Sequence, residues 1–367
     1  MFSPSFQITN KTLSSLINIE VNSKIVELAQ LQTDWEGRLR LESLVKRIYS
    51  LFHFVENDLS TDDVAKIVKD EPGRDERAGE VALRTGVVGK EKDIQQVLNF
   101  LNANKLSEQI AYLTNKFKQT DYGVNDLIKL NILVGERLIV APELGGYRQS
   151  DGSHENREGT PLAVEVPFQM EDLFGWFNSV TKNELHPILK AGTMLYELVR
   201  IAPFVNNNLI TAFCFNHLVL SSEGYHHKQI WAPEEEILKN RESYMVAVAS
   251  VERDGGDLTI WLEHFTRWME EASEKTKIKV LNLVGETPIF KSEKGRVVSL
   301  TEREIVIMEE MTIKNEMTIK EIRSVLPMVS DDTILRDLKD LMDKKLIRKK
   351  GKTKGALYVM GKARSYR

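Results

Sequence analysis

Arg200-Ile201-Ala202-Pro203-Phe204-Val205-Asn206-Asn207-Asn208-Leu209-Ile210 lies between two apolar segments. Leu185-His186-Pro187-Ile188-Leu189-Lys190-Ala191 opens the upstream one, and Leu218-Val219-Leu220-Ser221-Ser222-Glu223-Gly224-Tyr225 closes the downstream one. Both flanks read as helices, over 185–201 and 208–220. The second is apolar on nearly all sides and has to be buried. Asn206-Asn207-Asn208 between them has two readings. Asparagine tolerates left-handed backbone and caps helices well, so the run can be an N-cap. A helix N-terminus also attracts anions, so a residual anion site is the other reading.

Outward from this loop the chain reads as mostly helical. Apolar residues recur at helical spacing over 39–54, and Ser60-Thr61-Asp62-Asp63 starts another helix with a hydroxyl cap and an acidic first turn. The patterns over 92–101, 106–117 and 125–134 predict three more, and those over 170–178, 234–251 and 258–275 a further three. Residues 142–168 are polar and Gly-rich, with a short β-type run at Leu162-Ala163-Val164-Glu165-Val166, and predict a loop with a hairpin. The pattern breaks near Val284-Gly285-Glu286-Thr287-Pro288 and changes character at Leu300.

Composition bounds the function classes. The 367 residues are 42% hydrophobic and 28% charged, ordinary for a soluble protein of two or three domains. No targeting signal opens the chain and no apolar run reaches the ~18–20 residues of a membrane helix. The single cysteine, Cys214, excludes an intrachain disulfide, sits in an apolar run as a buried inert thiol, and fits a cytoplasmic protein. The histidines show no metal-ligand spacing. Charge is uneven. Residues 300–367 hold 16 Lys and Arg against 11 Asp and Glu, whereas the remainder holds 34 against 43. A basic C-terminal module on an acidic body predicts a negatively charged partner for that module.

Several separated stretches resemble the Fic family in order. Residues 202–210 stand where active members carry H-P-F-x-D/E-G-N-G-R. Gly145-Gly146-Tyr147-Arg148 is similar to the motif preceding the family's flap, and 164–168 falls at the flap hairpin, which docks target peptides by strand addition. Met170-Glu171-Asp172-Leu173-Phe174-Gly175-Trp176-Phe177-Asn178, Asn240-Arg241-Glu242-Ser243-Tyr244 and Asp257-Leu258-Thr259-Ile260-Trp261-Leu262 match helices before and after the loop. The resemblance implies a helical core with a small β-hairpin flap. It also implies transfer of a nucleotide, usually AMP, onto a protein hydroxyl, but the chemistry of the loop is depleted. The base position is Ala202, which cannot take a proton. The metal-holding carboxylate is Asn206, a poor magnesium ligand. The two phosphate-nest glycines are Asn207 and Leu209, the phosphate arginine is Ile210, and the family's second arginine is Phe213. Only Pro203, Phe204 and Asn208 match. Loss of the base alone costs ~10²–10⁴-fold, and each missing phosphate donor a further ~10²–10³-fold. His186 matches a structural H-P at the neighbouring helix, not the base.

The family's self-inhibition motif, S/T-x-x-x-E-G/N, aligns with Phe52-His53-Phe54-Val55-Glu56-Asn57. Glu56 and Asn57 remain; the hydroxyl is Phe52 and the arginine partner is Phe213. Two apolar substitutions on facing surfaces predict one aromatic cluster filling the space where an active relative admits ATP. Glu56 is then expected to face solvent or cap backbone. A plain helix end with an exposed Glu56 is the other reading.

Residues 300–360 resemble a winged helix. Leu300-Thr301-Glu302-Arg303-Glu304 and Thr318-Ile319-Lys320-Glu321-Ile322 start its first two helices, and 329–341 is the recognition-helix position. Residues 346–350 and 356–360 are the wing strands. Thr333, Arg336, Lys339, Lys350, Lys352 and Lys354 are the candidate contacts to duplex DNA. Asp331, Asp332, Asp337 and Asp340 acidify the helix and keep a protein-interaction role open.

The expected architecture is mainly α, with a small α+β C-terminal domain. An N-terminal helical region spans 1–115, a core with the degenerate loop 116–285, a linker 286–299 and a winged helix-turn-helix 300–367. The expected function is that of a bacterial, cytoplasmic regulator without intact catalytic residues, acting through DNA or protein. The alternative is an AMP-transferring enzyme with a noncanonical site. No cofactor is expected, and ATP with magnesium enters only under the alternative. A protein partner along 162–168 and a homodimer both remain open.

Overall fold

The computed structural model describes residues 2–29, 31, 33–117, 122–151, 159–181, 184–225, 227–284, 300–327, 329–351 and 356–361. The chain divides into two units, residues 1–280 and 281–367. Among the described residues no helix is long and apolar enough to cross a membrane.

The first unit is helical. Its elements are α1 (Asn10–Leu28), α2 (Thr33–Phe54), α3 (Thr61–Lys69), α4 (Ala78–Thr85), α5 (Glu91–Phe117) and α6 (Val124–Gly135). They continue with α7 (Val166–Ser179), α8 (Pro187–Ile201), α9 (Asn208–Ser222), α10 (Pro233–Leu238), α11 (Arg241–Arg253) and α12 (Thr259–Val284). The largely apolar α9 lies at the centre, packed by α5, α6 and α8. Its one amide in mid-helix, Asn216, donates to Ala191 O at 2.8 Å, which satisfies a polar group that burial would otherwise penalise. Gly192 in α8 lets α12 close in: a Cβ there would sit 2.6 Å from the Phe265 ring. At that approach Trp261 Nε1 donates to Gly192 O at 2.9 Å. Helix α1 is tied along α12 by Ser15 Oγ to Glu270 at 2.6 Å and Asn22 Nδ2 to Ser273 Oγ at 3.0 Å.

Three departures from the periodicity have physical causes. The patterns over 92–101 and 106–117 are one continuous helix, α5. The polar break between them is not a helix end, because Asn104 turns into the core and accepts from Arg47 Nη1 at 3.0 Å. That arginine is itself paired with buried Glu234 at 3.0 Å. Conversely, 234–251 is two helices, because Asn240 accepts from Ser243 N at 2.9 Å and caps α11 afresh. The expected hairpin at 162–168 is not formed. Residues Ala163–Glu165 make a 3-10 turn and Val166 begins α7, where Pro167 suits the first helical turn.

The second unit contains α13 (Glu302–Lys314), β1 (Glu316–Thr318), α14 (Ile319–Val325), α15 (Asp331–Asp343), β2 (Ile347–Lys350) and β3 (Leu357–Met360). Reciprocal capping boxes at Thr301/Glu304 and Thr318/Glu321 fix the starts of α13 and α14. The sheet order is β1-β3-β2, antiparallel throughout, with Met317 opposite Tyr358 and Lys350 opposite Leu357. Ile334, Leu338 and Leu341 of α15 pack with Ile307, Met311 and Tyr358 in a separate core.

Candidate functional site

The loop between α8 and α9 is held by hydrogen bonds to its carbonyls. Helix α8 ends at Ile201, and Ala202 turns left-handed at φ 44°. Asn207 is left-handed as well, at φ 61°, before α9 begins. Left-handed backbone costs an alanine ~1–2 kcal/mol, so the surrounding structure has to enforce it. Arg148, wholly buried, does so. Its Nε donates to Ala202 O at 2.9 Å, its Nη2 to Ile201 O at 3.4 Å, and its backbone N–H to Pro203 O at 2.9 Å. Asn208 clamps the next residue from both sides: Phe204 N–H donates to Oδ1 at 2.8 Å, and Nδ2 donates to Phe204 O at 2.9 Å. Asn131 Nδ2 donates to Asn206 O at 3.2 Å, and Thr211 N–H to Asn207 O at 2.9 Å. The carbonyls of 201–204, 206 and 207 therefore all have protein donors.

The side chains of the loop follow from this. Ala202, Pro203, Phe204, Asn208 and Ile210 are buried, Asn207 is half-buried and Asn206 is exposed. The side chain of Asn207 makes no capping bond; the residue serves α9 through its backbone, and the amide at work is that of Asn208, one position later. Magnesium and ATP do not fit these residues. Asn208 has both polar atoms committed to Phe204, and Ile210 and Phe213 bury alkyl and aryl groups where cations would be needed. Cys214 is buried as expected, which pushes its thiol up to about 12 and keeps it protonated. His186 caps α8, its Nδ1 accepting from Ile188 N–H at 3.2 Å.

Residues 147–151 and 159–169 strap across the same loop. Tyr147 forms an antiparallel bridge with Phe204. The Arg148 guanidinium reaches the Pro161 carbonyl and Asp151 Oδ1, and the same Asp151 oxygen accepts from Ala163 N–H. Arg200 makes a second tether, donating to Gly159 O at 3.3 Å, Gln169 Oε1 at 2.8 Å and Glu197 Oε2 at 2.7 Å. Burial raises the Glu197 carboxyl, against the opposing pull of Arg200. At 162–168 the backbone turns into a helix instead of offering a strand edge, although Leu162, Val164 and Phe168 remain exposed. Neither Asn131 nor Arg200 stands out in the sequence. Arg148 does, within Gly145-Gly146-Tyr147-Arg148.

Phe52 and Phe213 are both buried in the core of the first unit. Phe52 packs edge-on against Phe100 of α5, with ring centroids 5.8 Å apart, and α5 in turn packs along α9. Asn57 is buried and donates to Asp93 O at 3.1 Å and Gln96 Oε1 at 2.8 Å, fastening the end of α2 to α5. Glu56 turns left-handed into solvent with its side chain 85% exposed. Arg241 of α11 lies 3.9 Å away. That contact is a surface pair on another helix.

In the second unit, Arg336, Lys339 and Lys350 are exposed, and Thr333 is half-buried with its hydroxyl 2.9 Å from Ser330 Oγ. Lys352 and Lys354 lie outside the described residues. Three of the four expected acids on α15 are paired: Asp337 with Arg303 at 2.7 and 3.1 Å, Asp331 with Arg323, and Asp340 with Lys344.

Comparison with known proteins places this geometry. Residues 122–220 match the Fic/DOC family. A Fic family protein from Desulfovibrio desulfuricans G20 superposes with a TM-score of 0.63 at 17% identity, over 98% of this chain and 99% of that one. A fragment of Fic-1 from C. elegans gives 0.57 at 18% identity, over 74% of this chain and 72% of that one. A Fic domain containing signaling protein from Bacteroides thetaiotaomicron VPI-5482 gives 0.56 at 17%, over 74% and 96%.

Proposed function

From a chain whose core carries the Fic/DOC fold, we propose a regulatory protein that does not transfer nucleotides and that acts through its C-terminal unit. The observation that carries the first half is the lack of a base and of cations at the loop: Ala202 presents a methyl group, and Ile210 and Phe213 are buried apolar side chains. An active loop needs a base, a metal-holding carboxylate and open backbone N–H groups. Here a methyl group and an amide stand at the first two positions, and the Phe204 N–H is taken by Asn208 Oδ1. The AMP-transferring alternative loses its main support with the hairpin, since 162–168 presents no free strand edge.

The second half is a winged helix that binds duplex DNA. The order α13-β1-α14-α15-β2-β3 and the β1-β3-β2 sheet support that assignment. Pairing of Asp331, Asp337 and Asp340 to cations supports DNA over a protein partner, because it leaves Arg336 and Lys339 as exposed positive charge on α15. The test incubates the full chain with labelled ATP and magnesium, and in parallel titrates it into a random-sequence duplex. Absence of labelling together with salt-sensitive DNA binding is expected. Self-labelling or labelling of lysate proteins overturns the first half, and no DNA retention at low salt overturns the second.

A further inference from the structure

The body of this chain is acidic, yet one groove on it is lined by cations. It lies between α5, α6 and the segment preceding α4, and encloses about 380 Å³. Arg74, Lys105 and Lys129 line it, with no carboxylate among the lining residues. Lys129 keeps a surface contact to Asp126 at 3.3 Å, and Lys105 Nζ donates to Pro72 O at 3.4 Å. Both lysines are exposed, so these contacts leave their charge accessible to a partner.

The floor is apolar and continues beyond the groove. Leu106 and Ile132 line it, and Leu113 and Phe117 extend the Leu106 face of α5 at spacings of seven and eleven residues. Ile132, Leu113 and Phe117 are exposed by 39%, 49% and 67%. From Asn102 to Phe117 this face runs about 22 Å at helical rise. An apolar strip of that length with cations beside it is complementary to a helix that is apolar on one face and acidic on its flanks.

We propose that this groove docks an acidic amphipathic helix from a partner protein. The apolar face of that helix covers Leu106, Leu113 and Ile132, and its carboxylates meet Lys105, Lys129 and Arg74. The surface is separate from the 201–208 loop, so the proposal stands whether or not that loop is inactive.

The probe is a fluorescein-labelled synthetic helix of about four turns, with apolar residues at i, i+4, i+7 and i+11 and glutamate on its flanks. Controls are a scrambled peptide of the same composition and a version with lysine for glutamate. Fluorescence anisotropy against the full chain should give a Kd on the order of 10 µM for the probe, with at least about tenfold weaker binding for both controls. K105E/K129E and L113D should each weaken the probe about tenfold or more, whereas K11E/K24E on α1 should not. Circular dichroism of every variant shows that it is folded. Equal binding of probe and scrambled peptide, indifference to K105E/K129E, or no binding up to about 1 mM overturns the proposal.

Discussion

Replacing Asn208 with alanine tests whether the loop is built as a staple. The side chain is 4% exposed and holds both the N–H and the carbonyl of Phe204. Truncation leaves two buried backbone groups without that partner, at ~1–3 kcal/mol each, so N208A should lose ~2–6 kcal/mol. In a unit of this size about 1 kcal/mol shifts the midpoint by roughly 2 °C, which predicts a fall of about 4–12 °C. Differential scanning calorimetry on the full chain resolves it, with N206A as the control. Asn206 is exposed, and its removal should change stability by less than about 0.5 kcal/mol. N208D keeps the acceptor but sets a carboxylate against the Phe204 carbonyl. It should be destabilised at neutral pH and should recover as the pH falls and the acid becomes a donor. A midpoint for N208A within about 1 °C of wild type refutes the staple.

Arg148→Met should be more severe, about 3 kcal/mol or more, since it strips donors from Ala202, Ile201 and Pro161 at once; thermal unfolding checks it. Ala202→His should produce no AMP labelling in a radiolabel assay, because Ile210 and Phe213 still supply no phosphate contact. Burial alone would raise Glu236, but hydrogen bonds from Lys239 and Lys275 outweigh it and hold the carboxyl below the ordinary glutamate range. A depressed folded pKa gives stability that is present above the unfolded value and lost as the pH falls through the folded one. Glu236→Gln should therefore destabilise at pH 7 and lose its effect under acid, read as the difference in midpoint across pH. In DNA titrations of the full chain, R336A/K339A should lower the slope of log affinity against log salt by about 1–2.

The sequence made the helices legible where polarity and burial agree. Ser60-Thr61-Asp62-Asp63 reads as a capped start, and Ser60 and Asp63 do form the box that begins α3. It misled where polar residues turn inward. Asn104 resembles a break between helices and is a buried partner of Arg47. The 162–166 run alternates like a strand, but Glu165 caps the turn through Leu162 N–H at 2.9 Å and the chain enters α7. Depletion of the 202–210 loop is legible residue by residue. What replaced its chemistry is not, because the acceptors of Arg148 and Asn208 are main-chain carbonyls, which carry no residue-type signal.

Calorimetric titration of ATP with magnesium into the full chain tests the central claim, a loop without groups to hold phosphate, most directly. The account predicts no saturable heat up to about 1 mM nucleotide. One-site binding in the micromolar range that is abolished by N206A would contradict it.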